Sequence, residues 1–289
     1  MFARMDTPLP MPTPTVPVQP LTSFKSLSFD IYETLIQWEN SIIQHLEPLL
    51  LQSKHVPADS ARDDQASTEL SSREALADLF AKHEEDVQAE SPSMKYDGVL
   101  EQAYLRVVAD IGAPVDNPEV QSRARAFGAS VGGWPAFPDT VDAMNRLSKH
   151  YKLIALSNVD RDSFARTNAG PLEGLKFWRV FTAEDVGSYK PDTRNFEYLF
   201  EHLDGDDKAE GGPGIGKDEN LHVAQSLFHD HKPAKKLGIS SVWINRKGAG
   251  TGKADFKKAH DNGKVGYGWR FSTLGEFADE VERQWAEMN

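Results

Sequence analysis

Five short apolar runs constrain the fold more than any other feature: FKSLSFDIY (24–32), KLIALSN (152–158), FWRVFTAED (177–185), LHVAQS (221–226) and SVWINR (241–246). Each has the length of a buried strand, and helical patterns separate several of them. Val141, Met144 and Leu147 share one helix face behind Pro138–Asp139, a start signal, and Phe196, Leu199, Phe200 and Leu203 share another. Strands that alternate with helices predict an α/β fold, a Rossmann-like parallel sheet covered on both faces.

The first two runs lie far apart. The stretch between them, 37–137, reads as helices and is expected to form an inserted helical domain, with the core made of 23–36 and 138–289. Ile42, Ile43, Leu46, Leu49 and Leu50 form one stripe. Leu76, Leu79, Phe80, His83 and Val87 form a second, and Val99, Ala103, Val107 and Ile111 a third. Three polar stretches, 53–68, 204–220 and 247–268, read as loops. Residues 1–22 are rich in proline and read as a disordered or extended tail without the apolar run of a signal peptide. A closing helix carries Leu274, Phe277, Val281 and Trp285 on one side.

A length of 289 residues suffices for a core and an inserted domain. A net charge of −12 argues against a nucleic-acid partner, because phosphate binding needs a basic face. No apolar run is long enough to span a bilayer. The chain has no cysteine, which excludes disulfides, thiolate metal sites and a cysteine nucleophile, and fits a cytoplasmic protein.

Polar residues cluster where the strand runs end. Asp30 closes the first run, at the sheet edge where open α/β folds bind ligands. A carboxylate there can attack carbon or phosphorus, or it can cap the following helix. Ser157 and Asn158 close the second run and can hold a substrate carboxylate or cap a helix. Lys190, before Pro191, can reach in to pair with Asp30 or lie exposed. Gln225 and Ser226 close the fourth strand run and Asp230 follows it, where Asp230 can bind metal, activate water or cap a helix.

Taken in order, these residues resemble the haloacid dehalogenase superfamily, which shows a nucleophilic Asp with a Thr four residues on, then a Ser or Thr, a Lys and an acidic motif. Asp30, Thr34, Ser157, Lys190 and Asp230 occupy those places, and the resemblance spans about residues 24–289. It implies that 37–137 is a helical cap. Phosphatases of the superfamily resemble Asp-x-Asp-x-Thr and Gly-Asp-Ser-x-x-x-Asp, yet Tyr32 and Gln225 replace the second Asp of the first motif and the first Asp of the last. A neutral amide is a poor ligand for Mg²⁺. The form Asp-x-Tyr-x-Thr-Leu, with the LSN, SYKP and WINR segments, is similar to the 2-haloacid dehalogenase branch. That branch implies a metal-independent hydrolase without cofactor, a small-molecule substrate and a homodimer. Asp30, Lys190, Asp230, Ser157 and Thr34 would be catalytic, with Tyr32, Asn158, Gln225, Ser226 and Phe196 around the substrate.

Some positions depart from the branch. The halide-binding Arg of the first cap helices has no secure counterpart. Arg62 stands at about the right distance but in a loop-like stretch, and the helix LADLFAKHEE has no Arg. The glycine after Tyr32 is Glu33, and the Tyr after the Lys-Pro motif is Phe196. These departures leave open another electrophile (an epoxide, ester or halohydrin), a phosphatase, or a catalytically degenerate binding protein. GGPGIGK (211–217) has phosphate-loop spacing, but Asp218 follows the lysine and a strand follows the loop, so it reads as surface. His222, His229 and His231 read as pocket lining or surface rather than a metal site.

Overall fold

A computed structural model of the chain describes residues 10–53, 73–246 and 258–288. The described residues form a six-stranded sheet in the order β3-β2-β1-β4-β5-β6, and every pairing in it is parallel. The strands are β1 (Ser26–Phe29), β2 (Lys152–Ser157), β3 (Arg179–Thr182), β4 (Asn220–Ala224), β5 (Ser241–Ile244) and β6 (Trp269–Phe271). β1 is flanked by β2 and β4, and the strand order changes direction between β1 and β4. A crevice opens at such a point outside the carboxyl ends of the strands, so Asp30 and the residues after β4 fall on its two sides.

The alternation of side chains along a strand decides which face each residue serves. Leu27 and Phe29 of β1, Leu153 and Ala155 of β2, and Leu221 and Val223 of β4 join the larger core. Ile154 and Leu156 of β2 turn to the other face, where Phe196, Leu199 and Leu203 cover them. On β1 and β4 that second face is polar yet buried, with Ser26, Ser28, Asn220 and His222 all inaccessible.

Between β1 and α5 (Thr140–Leu147) the described residues form α1 (Trp38–Ser53), α2 (Arg73–Glu90), α3 (Tyr96–Asp110) and α4 (Pro118–Ser130). The expected stripes are buried at Ile42, Ile43, Leu46, Leu49, Leu76, Phe80, Val87, Val99, Ala103, Val107 and Ile111. The segment leaves and re-enters the core side by side, since Gln37 N donates to the Pro135 carbonyl (2.8 Å) and Phe137 N to that of Leu35 (3.0 Å). The remaining helices are α6 (Arg161–Ala169), α7 (Ala183–Val186), α8 (Arg194–Ala209), α9 (Lys232–Leu237) and α10 (Leu274–Met288). No helix among the described residues is long and apolar enough to cross a membrane.

Three expectations need correction. Val141 is exposed, and α5 buries Thr140, Ala143, Met144 and Leu147 instead. Residues 204–209, expected as loop, continue α8. Ion pairs from Asp206 to Arg179 and from Asp207 to Lys152, each 2.7 Å, hold that acidic end on the sheet edge. The proline-rich stretch lacks regular structure over 10–20 but is tied down: Thr15 N donates to Gly266 O (2.7 Å), and Leu21, wholly buried, accepts at its carbonyl from Tyr151 Oη (3.0 Å). The loop expected at 53–68 lies almost wholly outside the described residues, as does the first half of 247–268.

Candidate active site

β1 ends at Phe29, so Asp30 is the first residue past the sheet, and its amide still donates to Val223 O of β4 (3.1 Å). A tight turn follows, with Leu35 N and Ile36 N both donating to Ile31 O (2.7 and 3.0 Å). The turn requires a left-handed backbone at Glu33, φ +67°. A side chain is strained in that region, which accounts for the glycine expected there. Glu33 gains a compensating contact, as its carboxylate accepts from Glu39 N (2.8 Å) at the start of α1. Burial pushes its carboxyl up to about 7.

The turn returns Thr34 to Asp30. Thr34 Oγ1 donates to Asp30 Oδ2 (2.6 Å) and accepts from Gln225 N (2.9 Å), which ties the β1 turn to the end of β4. Lys190 is buried, and its ammonium donates to Asp30 Oδ1 (2.9 Å), Asp230 Oδ1 (2.8 Å) and the Leu156 carbonyl (2.9 Å). Those bonds use every donor the ammonium has. Burial disfavours its charge, but Asp230 and Asp30 outweigh that and raise its pKa. Burial raises the pKa of Asp30, with Asp230 adding to the effect and Lys190 and Thr34 opposing it. Burial works the same way on Asp230, but Lys190 and His222 prevail and hold its carboxyl well below the usual range. The two aspartates are thus shifted in opposite directions.

Asp30, Thr34, Lys190 and Asp230 form one cluster. Ser157 is buried, and its hydroxyl has no hydrogen-bond partner among the described residues. A buried hydroxyl in that state is costly unless something binds it. Asn158 lines the cavity beside Asp30, but both ends of its amide bond the backbone of Lys190, at 2.7 and 2.9 Å. It holds the backbone of the lysine while lining the cavity. Tyr32 lines the cavity and its hydroxyl meets Thr167 Oγ1 (2.7 Å). Gln225 and Ser226 also line it, with the Ser226 hydroxyl accepting from His229 N (3.0 Å) to cap the π-helical turn Leu227–His231 that carries Asp230. Phe196 does not reach the cavity. It is wholly buried on α8, its ring edge-on to His222 with centroids 4.9 Å apart.

The cavity beside Asp30 has a volume of about 830 Å³. Trp38 and Tyr96 roof it from the inserted helices. Trp38 Nε1 donates to Tyr96 Oη (3.0 Å), which in turn donates to Glu84 (2.6 Å), a carboxyl that burial pushes up to about 7. The cations lining the cavity among the described residues are Lys82, Lys190, Lys232, Lys258 and Lys264, with no arginine. Arg62 lies outside the described residues. His229 lines the cavity, burial pushing its ring down to about 4, whereas His222 and His231 are buried in the core and not at the surface. Among the described residues no group of three or more His, Asp or Glu could hold a metal ion. With Gln225 neutral and the Lys190 ammonium between the two aspartates, the donor set does not fit Mg²⁺.

No protein-family model matches the chain. It is similar to YfnB of Bacillus subtilis (strain 168), which carries the name of a HAD-hydrolase, with 22% identity over 77% of this chain and 84% of YfnB. A crystal structure of YfnB bound to magnesium superposes with a TM-score of 0.59 and 16% identity, covering 90% of this chain and 99% of that one. L-2-haloacid dehalogenase from Xanthobacter autotrophicus superposes with a TM-score of 0.64 and 16% identity, covering 90% and 98%. Its form with chloropropionic acid covalently bound gives a TM-score of 0.62 and 15% identity, over the same shares of the two chains. The chain has the fold of the haloacid dehalogenase superfamily and, at Asp30, Thr34, Ser157, Lys190 and Asp230, resembles its 2-haloacid dehalogenase branch.

Proposed function

We propose that the chain is a metal-independent hydrolase that uses Asp30 as a covalent nucleophile, most like an (S)-2-haloacid dehalogenase. The observation that carries this reading is the single buried ammonium of Lys190 shared by Asp30 Oδ1 and Asp230 Oδ1, with Thr34 on the other oxygen of Asp30. Two donors aim the Asp30 carboxylate at the cavity. A carboxylate so held can displace halide from C2 of a haloacid, forming an ester while the C–halogen bond breaks and the halide takes the bonding pair. Water then attacks the ester carbonyl with Asp230 as base, which frees the hydroxy acid and restores Asp30. The resemblance assigns the substrate carboxylate to Ser157, whose buried hydroxyl has no hydrogen-bond partner among the described residues. Halide departure needs no proton donor, so Tyr32 can stand where a phosphatase needs an acid.

In this reading 37–137 is a cap that closes over Asp30 and sets specificity through α1 and α2. Cytoplasmic residence is inferred from the lack of cysteine, and a homodimer from the resemblance. A second reading is favoured by the lysine-lined cavity: with no guanidinium lining it among the described residues, the same nucleophile would open an epoxide, ester or halohydrin.

The test is halide release from a panel of 2-haloacids, run beside phosphate release from phosphate monoesters, for wild type and Asp30→Asn. The reading expects halide release that falls at least about 10³-fold in D30N with the fold intact. Near-normal turnover by undeamidated D30N, or phosphate release alone, would overturn it.

A further inference from the structure

We propose that His222 is a positioning residue for Asp230, its ring fixed as the neutral Nε2–H form by a one-way hydrogen-bond chain that begins at Ser26. The role of Asp230 in ester hydrolysis rests on the reading above, while the state of the ring does not.

β1 and β4 pair in parallel with Ser26 opposite Asn220 and Ser28 opposite His222. The register sets all four side chains on the sheet face that also carries Phe196. Ser26 Oγ donates to Asn220 Oδ1 (2.9 Å), which leaves the Asn220 amide nitrogen as donor to Ser28 Oγ (2.9 Å). Ser28 Oγ therefore has its own proton to give, and the atom facing it is His222 Nδ1 (2.9 Å). Nδ1 is then the acceptor, so the ring proton sits on Nε2, which faces Asp230 Oδ1 (2.9 Å). The opposite tautomer would set the Nε2 lone pair against an ionised carboxylate. An imidazolium would leave the buried Ser28 hydroxyl proton without an acceptor, which is costly.

The chain ends on Asp230, and its direction has a chemical consequence. Oδ1 receives Lys190 and His222, whereas Oδ2 has no partner among the described residues. The ring thus fixes the rotation of the carboxylate and keeps Oδ2 free to act as base. In ester hydrolysis one water proton passes to Oδ2 as the water oxygen bonds to Cγ of Asp30. The bond from Cγ to the product oxygen then breaks, that oxygen takes the proton from Oδ2, and the Asp30 carboxyl gives its remaining proton to solvent. Apolar residues could fill the space between β1 and β4 without the penalty of burying polar groups. A fully satisfied polar chain there rigidifies and specifies, and it converges on the base.

Two arms test this. Long-range ¹H–¹⁵N NMR of the full-length protein near neutral pH, with His222 assigned by comparison with His222→Gln, should show a neutral Nε2-protonated ring that loses its fixed form in Ser28→Ala. An Nδ1-protonated ring or an imidazolium would overturn the proposal. Rapid-quench kinetics with (S)-2-chloropropionate form the second arm. His222→Leu should slow ester hydrolysis roughly tenfold or more while changing ester formation less than about threefold, so that the Asp30 ester accumulates. H222Q, whose amide can supply the missing donor, should stay near wild type. Equal slowing of both steps in H222L, or equal loss in H222Q, would refute the positioning role. Absence of any Asp30 ester, wild type included, would count against the covalent reading, and the NMR result would then decide the state of the ring alone.

Discussion

Asn158 and Lys190 clasp each other through the backbone: Asn158 Oδ1 accepts from Lys190 N at 2.7 Å, and Asn158 Nδ2 donates to Lys190 O at 2.9 Å. Asn158 follows directly on β2, so the clasp anchors the lysine's main chain to the sheet. From there the ammonium reaches Asp30, Asp230 and Leu156 O together.

Asn158→Ala should therefore lower kcat more than it raises KM, because it loosens the lysine rather than a substrate contact. Loss of the two bonds should also cost about 1–3 kcal/mol of stability. Steady-state kinetics and urea denaturation measure both. A raised KM with unchanged kcat would return Asn158 to substrate binding.

The acid limb of kcat/KM should reflect Asp30. Its carboxyl is raised by burial and by Asp230, against Lys190 and Thr34. The nucleophile is ionised only above that raised value, so activity should fall with decreasing pH earlier than an ordinary aspartate would require. Thr34→Val removes a donor that favours the ionised form and should move the limb to higher pH. A limb that stays put or moves down in T34V would contradict this assignment.

Chelation should leave activity unchanged. Gln225 offers an amide where a phosphatase has a carboxylate, and the Lys190 ammonium lies between Asp30 and Asp230. Activity after EDTA treatment and dialysis, with and without added Mg²⁺, checks this. The YfnB structure holds magnesium, so a strict Mg²⁺ requirement here would place the chain with that chemistry instead.

The sheet was legible because β1, β2, β4 and β5 are continuous buried runs. β6 was not, since Trp269–Phe271 is three residues long and only half buried. The cluster of Asp30, Thr34, Lys190 and Asp230 was legible through its ordered resemblance to the haloacid dehalogenase superfamily, since singly Asp30 and Asp230 could equally cap helices and Lys190 lie exposed. The clasp of Asn158 on Lys190 and the burial of Phe196 were not legible because their partners lie far along the chain: Lys190 is 32 positions from Asn158, and His222 faces Phe196 from another element. His222 was missed for the same reason. A histidine in a strand reads as an outlier until Ser28, 194 positions away, and Asp230 are seen to use both of its ring nitrogens. Local periodicity carries no information about such pairings.

A single turnover in ¹⁸O water, with enzyme in excess over the substrate, tests the central claim most directly. If Asp30 attacks carbon, its own oxygen enters the product and solvent oxygen refills the side chain. The covalent account predicts unlabelled hydroxy acid and ¹⁸O in the peptide that contains Asp30. Labelled product in the first turnover, with that peptide unlabelled, would mean that water attacks the substrate directly and would contradict the account.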